Sequence, residues 1–383
     1  MTTSHSLLRG AAAAAVLLLT ASQGLAGELK AGPPPGQVSA EADLGSAVAA
    51  LPRPSAVHLE GRCLPQGRSA ASGAADADMG RALTVDTPLR IASNTKTFTA
   101  ATALRLWEQE RLDLTAPIAG LVTPALNDLL LARGYDTSQI TVRQLLNHTS
   151  GLYDHGSDPR FTQALFSDPG RRWSRQDLVA LSMSYGGPQG APGEKFLYSD
   201  TGYILLGDII ERVAGQTLAA AVREQLGLNR LGLTSTWWEL MEPQPPGAPH
   251  RARQFLGERE ATAIDASMDL YGGGGLVMSA RDMARFMSAL FEGKVFARPE
   301  TLAEMTRPAP HPGGEHYRIG LIAYGEGSRA SYGHSGFWGT IVYYSPELGV
   351  AVAGVTVNQD GFRALERLVL AEAGLSPENC ARG

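Results

Sequence analysis

The sequence predicts an α/β fold in which an antiparallel sheet is flanked by helices and an all-helical part is inserted. Apolar residues recur at helical spacing in several segments in the middle of the chain. Near the C-terminus, residues 340–344 and 350–357 are β-branched and aromatic runs joined by a short turn segment, which is typical of an antiparallel hairpin. A closing amphipathic helix over 362–373 then has an apolar face to lay on the sheet.

The N-terminal region is predicted to precede the folded domain. Residues 1–26 are typical of a secretory signal peptide, because Arg9 precedes a short apolar run and Ala26 ends a segment suited to cleavage. Residues 27–54 contain five prolines among small and charged residues, which favours a flexible arm. We therefore expect a secreted or periplasmic protein with no permanent membrane span and one folded domain over 55–383.

Composition limits the partners. The net charge is −5 and basic runs are absent from the sequence, so neither nucleic acid nor an anionic membrane surface is indicated. The two cysteines, Cys63 and Cys380, lie near the ends of the mature chain and can pair in an oxidising compartment; two free thiols are the alternative. No cofactor or metal is expected, and His148 and His155 are interpreted as structural because they lack a metal-binding motif.

The helices follow from periodicity and capping residues. Residues 94–110 form a helix after an apparent strand at 89–92. A second helix over 201–214 stops at Gly215, and Thr217 caps the next one. Ser279 caps a further helix. The helical insertion is predicted at about 100–270, whereas the pattern over 56–73 does not allow strands to be placed.

The tetrapeptide Ser93 to Lys96 is the first chemical motif. Residues three apart on a helix lie on one face, about 5 to 6 Å between Cβ atoms, so Lys96 can reach the Ser93 hydroxyl. If Ser93 opens the helix, the positive end of the helix dipole also favours an oxyanion there. This spacing indicates a serine nucleophile activated by a lysine.

Two later segments complete a candidate site. Tyr198, Ser199 and Asp200 precede the helix over 201–214, and His334, Ser335 and Gly336 lie at the entrance of the C-terminal hairpin. In this order, S-x-x-K, Y-x-D and H-S-G resemble the S-x-x-K, Y-x-N and K-T-G or H-T-G motifs of serine hydrolases of the class C β-lactamase and DD-peptidase superfamily, which is penicillin-binding protein-like and family VIII esterase-like. The resemblance implies a β-lactamase/transpeptidase-like fold.

The resemblance also implies roles. Ser93 would form an acyl-enzyme, Lys96 would ease removal of its proton, and Tyr198 would act as general base and acid. The backbone N–H groups of Ser93 and Phe337 would form the oxyanion hole. Gly336 would leave that backbone open to substrate.

The remaining positions bear on substrate choice. Ser335 would hydrogen-bond a substrate carboxylate or carbonyl, and His334 in place of lysine would make the positive charge of the site pH-dependent. Asp200 replaces an asparagine by an acceptor that can pair with Lys96 and hold it charged. The glycine cluster over 272–275 predicts a close backbone approach at the cleft.

Several functions share this chemistry. A D-alanyl-D-alanine carboxypeptidase-like activity is the first choice, because the chain has an export signal and carries His334. An esterase or a β-lactamase of the same fold is the alternative, as is a non-catalytic penicillin- or peptidoglycan-binding sensor. In each case the expected partner is a peptide or small molecule, such as a cell-wall peptide, an ester or a β-lactam. We expect the protein to be a monomer.

Overall fold

The computed structural model describes residues 43–62, 64–312, 316–325 and 327–373. The predicted signal peptide, the first part of the predicted arm, Cys63 and Cys380 lie outside these ranges. Their predictions therefore remain predictions. Within the described ranges, no helix combines the length and the apolar character that a bilayer span requires.

The helices and strands are numbered along the chain. The helices are α1 (Leu44–Ala49), α2 (Thr95–Glu108), α3 (Pro124–Ala132), α4 (Val142–Leu146), α5 (Pro159–Ser167), α6 (Arg175–Tyr185), α7 (Asp200–Ala214), α8 (Leu218–Leu226), α9 (Ala280–Phe291), α10 (Pro299–Thr306) and α11 (Phe362–Ala373). The strands are β1 (Ser55–Gly61), β2 (Leu64–Ser72), β3 (Ala74–Asp76), β4 (Arg81–Ala82), β5 (Leu89–Arg90), β6 (Trp237–Trp238), β7 (Phe255–Leu256), β8 (Arg259–Glu260), β9 (Leu276–Met278), β10 (Ile322–Tyr324), β11 (Ser331–Gly336), β12 (Thr340–Ser345) and β13 (Val350–Thr356).

The main sheet has six antiparallel strands in the order β10, β11, β12, β13, β1, β2. The predicted C-terminal hairpin is β12 and β13, in which Thr340 lies opposite Val355. Strand β1 pairs with β13, so the two ends of the domain meet in one sheet. The strands that the sequence pattern could not place between residues 56 and 73 are β1 and β2.

The sheet buries both faces because successive side chains of a strand point to opposite sides. Val57, Leu59 and Val352 belong to an apolar cluster that includes residues of α1 and α11. Ala56, Val342 and Ala353 face the larger core, which includes residues of α2 and α9. The predicted arrangement of an antiparallel sheet flanked by helices is thus confirmed.

The helical part runs from α2 to α8 and contains part of the larger core. Helix α7 ends where predicted, because Gly215 adopts a left-handed conformation with φ of 73°. Thr217 caps α8 by accepting a hydrogen bond from the N–H of Ala220. Ser279 caps α9 in the same way through Asp282. Each cap supplies an acceptor for an N–H that the first turn of a helix leaves without one.

Ordered structure begins earlier than the sequence indicated. Helix α1 lies inside the stretch that was predicted to be a flexible arm up to residue 54. Its Leu44 and Val48 are buried against the sheet. Burial of these two side chains explains the difference, because the prediction relied on the prolines on either side of α1 and did not consider tertiary packing.

Candidate functional site

Ser93 lies in a tight turn between a strand and a helix. Strand β5 ends at Arg90, residues Ala92–Asn94 form a single 3-10 turn, and α2 begins at Thr95. Ser93 therefore precedes α2 and does not open it, which corrects the predicted position slightly. Ala92 has a φ of 45°, an unfavourable value for a residue with a Cβ atom. Such strain at one residue often accompanies a functional site.

Lys96 is enclosed beneath Ser93. Its ammonium donates to the Ser93 hydroxyl at 2.9 Å and to the Gly273 carbonyl at 2.9 Å. It also forms an ion pair with Asp200 at 2.5 Å, and its side chain has no exposed surface. Burial alone would lower the pKa of Lys96, but Asp200 and Tyr198 outweigh burial and raise it above its usual value. The ammonium therefore keeps its proton at neutral pH.

Tyr198 lies beside the same ammonium, two residues before α7. The centre of its ring is 5.0 Å from the Lys96 nitrogen. Burial raises the pKa of the Tyr198 phenol above its usual value, while Lys96 and a hydrogen bond with Ser93 act in the opposite direction. The structure thus brings Ser93, Lys96, Tyr198 and Asp200 together, with neutral Tyr198 and charged Lys96 in the resting site.

The imidazole of His148 packs against the ring of Tyr198. Its imidazole is 1% exposed and lies 4.2 Å from the Tyr198 ring, centre to centre. Its Nδ1 accepts from the N–H of Ser199, and its carbonyl accepts from the N–H of Leu197 at 2.7 Å. Burial and the charge of Lys96 lower the pKa of His148 well below its usual value, so the ring is neutral. This is the structural role that the sequence predicted for His148.

A hydrogen-bond network joins the Ser93 turn to the sheet. The Asn94 side chain donates to the Ile91 carbonyl and to the Thr340 hydroxyl at 2.8 Å, and that hydroxyl donates to the same carbonyl at 3.0 Å. A Cβ atom at Gly336 would be 2.1 Å from the Ile91 oxygen. Glycine is therefore required for this approach, which places the Ser93 turn against the end of β11.

His334 is held by hydrogen bonds on both ring nitrogens. Its Nδ1 lies 2.7 Å from the Ser335 carbonyl and its Nε2 lies 3.2 Å from the Tyr317 hydroxyl. Burial and the charge of Lys96 lower its pKa to about 3. The expectation that His334 adds a pH-dependent positive charge near neutral pH is therefore wrong, because a buried imidazole beside an ammonium does not take up a second charge.

Two further carboxyl groups, those of Asp154 and Asp269, lie near the ion pair. The Asp154 carboxylate accepts from the N–H of Asp200 at 3.0 Å. Burial and the charge of Asp200 raise the pKa of Asp154 to about 6 and that of Asp269 to about 7. The ammonium of Lys96 thus lies among three acidic side chains. In the described part of the chain, no group of three or more His, Cys, Asp or Glu side chains is arranged to hold a metal ion.

The predicted glycine approach is confirmed. A Cβ atom at Gly273 would lie 3.3 Å from Asp200 Oδ1 and 3.5 Å from Lys96 Nζ, and one at Gly274 would lie 2.0 Å from Asp269 Oδ2. The loop therefore passes directly against the charged groups. Trp237, Trp238 and Trp338 are buried side chains of the core.

Some residues of the site were not identified from the sequence. Asn94 was visible inside the S-x-x-K motif but its polar partners come from β12, which is distant in the chain. Asp154 lies in a loop, Asp269 ends a short 3-10 turn, and neither belongs to a recognisable motif. Tyr317 reaches His334 from another segment. Only the tertiary contacts bring these side chains together.

Comparison with known proteins agrees with this geometry. A family model described as Beta-lactamase matches residues 18–375. The chain belongs to this Beta-lactamase family. The family assignment covers the sheet, the helical part and the candidate site, and it confirms the resemblance on which the fold prediction depended.

Individual relatives of this Beta-lactamase family member differ in their activities. The chain is 31% identical over 265 residues to "Esterase EstB" of Burkholderia gladioli, which covers 62% of this chain and 65% of the relative. It is 25% identical over 216 residues to "D-alanyl-D-alanine-carboxypeptidase/endopeptidase AmpH" of Escherichia coli (strain K12), which covers 56% of this chain and 51% of the relative. The matched part thus spans about half to two thirds of these curated relatives.

A solved structure matches more completely. The D-stereospecific amidohydrolase from Streptomyces sp. is similar with a TM-score of 0.71 and 26% identity, covering 86% of this chain and 96% of the other. Together the relatives include an esterase, a carboxypeptidase and an amidohydrolase. They support a serine hydrolase, and they leave the substrate to be argued from the site.

Proposed function

We propose that the protein hydrolyses an amide or ester bond through an acyl-enzyme formed at Ser93. The single observation that supports this most strongly is the contact of the Ser93 hydroxyl with the buried ammonium of Lys96 at 2.9 Å. A buried cation beside the hydroxyl stabilises the negative charge that develops on the oxygen during attack.

The resting protonation states define the proton path of this proposal. Because Lys96 is charged and Tyr198 is neutral, neither accepts a proton without losing one. The Ser93 oxygen attacks the carbonyl carbon while its proton passes to the Tyr198 oxygen, and the Tyr198 proton passes to the leaving nitrogen or oxygen. Water then releases the acyl group from Ser93 along the same path in reverse. Lys96 stays charged throughout and orients both oxygens.

The oxyanion hole is part of the proposal. The close approach of Gly336 to the Ile91 carbonyl supports it, since these residues are followed within two positions by Phe337 and Ser93. Backbone N–H groups of these two residues are therefore the proposed donors to the carbonyl oxygen, each worth about 3 to 4 kcal/mol of transition-state stabilisation.

The primary test is hydrolysis of an activated aryl ester by the wild-type protein and by Ser93→Ala. We expect the variant to lose at least about a thousandfold in kcat/KM, because no other group replaces the nucleophile. The exposed Ser184→Ala is the matched control and should keep the wild-type rate. Equal rates for Ser93→Ala and wild type would refute the acyl-enzyme.

Cell-wall chemistry is the second part of the test. A D-alanyl-D-alanine carboxypeptidase-like activity is kept as a candidate because one curated relative carries that name. Intact mass after incubation with benzylpenicillin distinguishes the candidates: a persistent adduct at Ser93 supports a peptidase-like enzyme or a sensor, and rapid turnover of the penicillin supports a β-lactamase. Intact penicillin without an adduct supports an esterase or amidase.

Export and monomeric state complete the proposal. Both are expectations from the sequence. The signal-like segment lies outside the described residues. Fractionation of cells expressing the full chain tests export, and light scattering of the purified protein tests the monomer.

A further inference from the structure

We infer that the site selects amide or ester substrates that carry no carboxylate next to the scissile bond. This inference rests on the proposed function, narrows its substrate class, and argues against the carboxypeptidase-like candidate, whose substrates carry a carboxylate next to the scissile bond. It comes from how His334, Asp200 and the surrounding acidic side chains are arranged around the ammonium of Lys96.

His334 has no hydrogen available for a substrate anion. The Ser335 carbonyl can only accept a hydrogen bond, so the Nδ1 of His334 donates to it at 2.7 Å. In the neutral ring Nε2 is then the acceptor, and the Tyr317 hydroxyl lies 3.2 Å from it. Both nitrogens are bound inside the protein and the side chain is 1% exposed. A substrate carboxylate would find neither charge nor donor on this residue.

The positive charge of Lys96 is already balanced by a carboxylate. Asp200 pairs with its ammonium at 2.5 Å. The carboxyl groups of Asp154 and Asp269 also interact electrostatically with this ammonium. A substrate carboxylate placed here would add a further negative charge to a group of acidic side chains that shares one cation. Like charges a few ångströms apart in a partly enclosed site repel each other strongly.

Asp200 instead suits a neutral donor. Its side chain remains 23% exposed while it contacts Lys96. A carboxylate accepts hydrogen bonds and cannot donate them. An amide N–H of a substrate is a matching partner, whereas a substrate carboxylate is not. The Asp200 carboxylate, which pairs with Lys96, therefore favours uncharged amides.

A matched pair of thioesters tests the inference. Benzoyl-D-alanyl thioglycolate carries a carboxylate on its leaving group, and its methyl ester lacks this charge and carries one more methyl group. Because the ester thiol is the better leaving group, each enzymatic rate is divided by the spontaneous hydrolysis rate of the same compound. Thiol release is followed for both substrates at one pH. We expect wild-type kcat/KM to be at least about tenfold higher for the methyl ester. A preference for the thioglycolate would overturn the inference.

Two variants of His334 sharpen this test. His334→Lys supplies a cation at the end of β11 and should reduce the preference for the methyl ester by at least about fivefold. His334→Gln keeps an uncharged hydrogen-bonding side chain and should change both rates by a similar factor. Selective loss of thioglycolate hydrolysis in His334→Gln would show that the histidine binds the carboxylate, contrary to the inference, even if His334→Lys fails to fold.

Failure of the inference differs from failure of the proposed function. If wild type releases no more thiol from either compound than Ser93→Ala does, the acyl-enzyme proposal fails and the inference fails with it. If release depends on Ser93 but favours the thioglycolate, only the inference is overturned.

Discussion

Lys96 lies in the interior yet keeps its charge. Burial of an ammonium is costly unless a carboxylate compensates for it, and Asp200 supplies this carboxylate at 2.5 Å. The resemblance predicts asparagine at this position, so the aspartate changes the electrostatics of the site rather than its shape. The proton path proposed for Ser93 and Tyr198 depends on this one substitution.

Replacing Asp200 by asparagine should lower the pKa of Lys96, because burial would remain while the largest opposing charge is lost. We expect the alkaline limb of the kcat/KM profile to move to lower pH in Asp200→Asn. The measurement is ester hydrolysis between about pH 6 and 10 for both proteins, a range that reaches the usual pKa of a lysine. An unchanged alkaline limb would mean that Lys96 is not the group that titrates there.

The carboxyl groups around the ion pair also show that residue type alone does not determine a pKa. The pKa of Asp154 is raised to about 6 while the pKa of Asp200 is lowered, although both are aspartates in the same cluster. Burial raises the pKa of each, and the direct contact with Lys96 reverses the direction only for Asp200. Direct contact with the cation therefore decides the direction in which the pKa of each carboxyl moves.

At the scale of elements, α7 positions the site through one glycine. A Cβ atom at Gly207 would lie 2.2 Å from the Tyr271 carbonyl, so the loop that carries Gly273 packs directly on this helix. The Gly273 carbonyl accepts from Lys96. Close packing of a helix and a loop thus fixes the position of one hydrogen-bond acceptor of the ammonium.

Gly207→Ala should displace this loop. We expect a net loss of about 1 to 3 kcal/mol in the free energy of unfolding, because the clash outweighs the better helix propensity of alanine. The value of kcat should fall as well, since Lys96 loses its carbonyl partner. Denaturant unfolding and ester hydrolysis measure the two effects.

Gly215→Ala provides the control at the end of the same helix. Gly215 has a φ of 73°, and a Cβ atom added there would meet no other group within 4 Å. Alanine at this position therefore costs about 1 kcal/mol through backbone strain alone. Its kcat should equal that of wild type. Equal kcat values for the two alanine variants would contradict the positioning role of Gly207.

For the whole molecule, buried neutral histidines link stability to pH. His155 is 2% exposed and contacts Thr201, and burial lowers its pKa to about 4. The unfolded chain binds the proton near about pH 6.5. Between these values the unfolded state holds more protons than the folded state, so stability is lost as the pH falls from about 6.5 towards 4.

His155→Gln should reduce this acid sensitivity. Between about pH 7 and 4.5 we expect wild type to lose about 2 to 3 kcal/mol more of its free energy of unfolding than the variant does. Denaturant unfolding at the two pH values measures the difference. The exposed His250→Gln should behave as wild type does. The same loss in wild type and in His155→Gln would show that another group causes the acid sensitivity.

Much of the fold was accessible from the sequence because it depends on local signals. The caps at Thr217 and Ser279, the stop at Gly215 and the hairpin of β12 and β13 each follow from side chains within a few residues of one another. Strands β1 and β2 were not placed, since their composition is mixed and the pairing of β1 with β13 joins opposite ends of the domain.

The sequence by itself determined the family motifs and their order, because these depend on residue type and short spacing. The tertiary structure decided the charges. His334 is neutral because it is buried with both nitrogens bound, and Lys96 is charged because Asp200 reaches it. Protonation depends on burial and on partners that are distant in the chain, and only the folded structure brings those partners together.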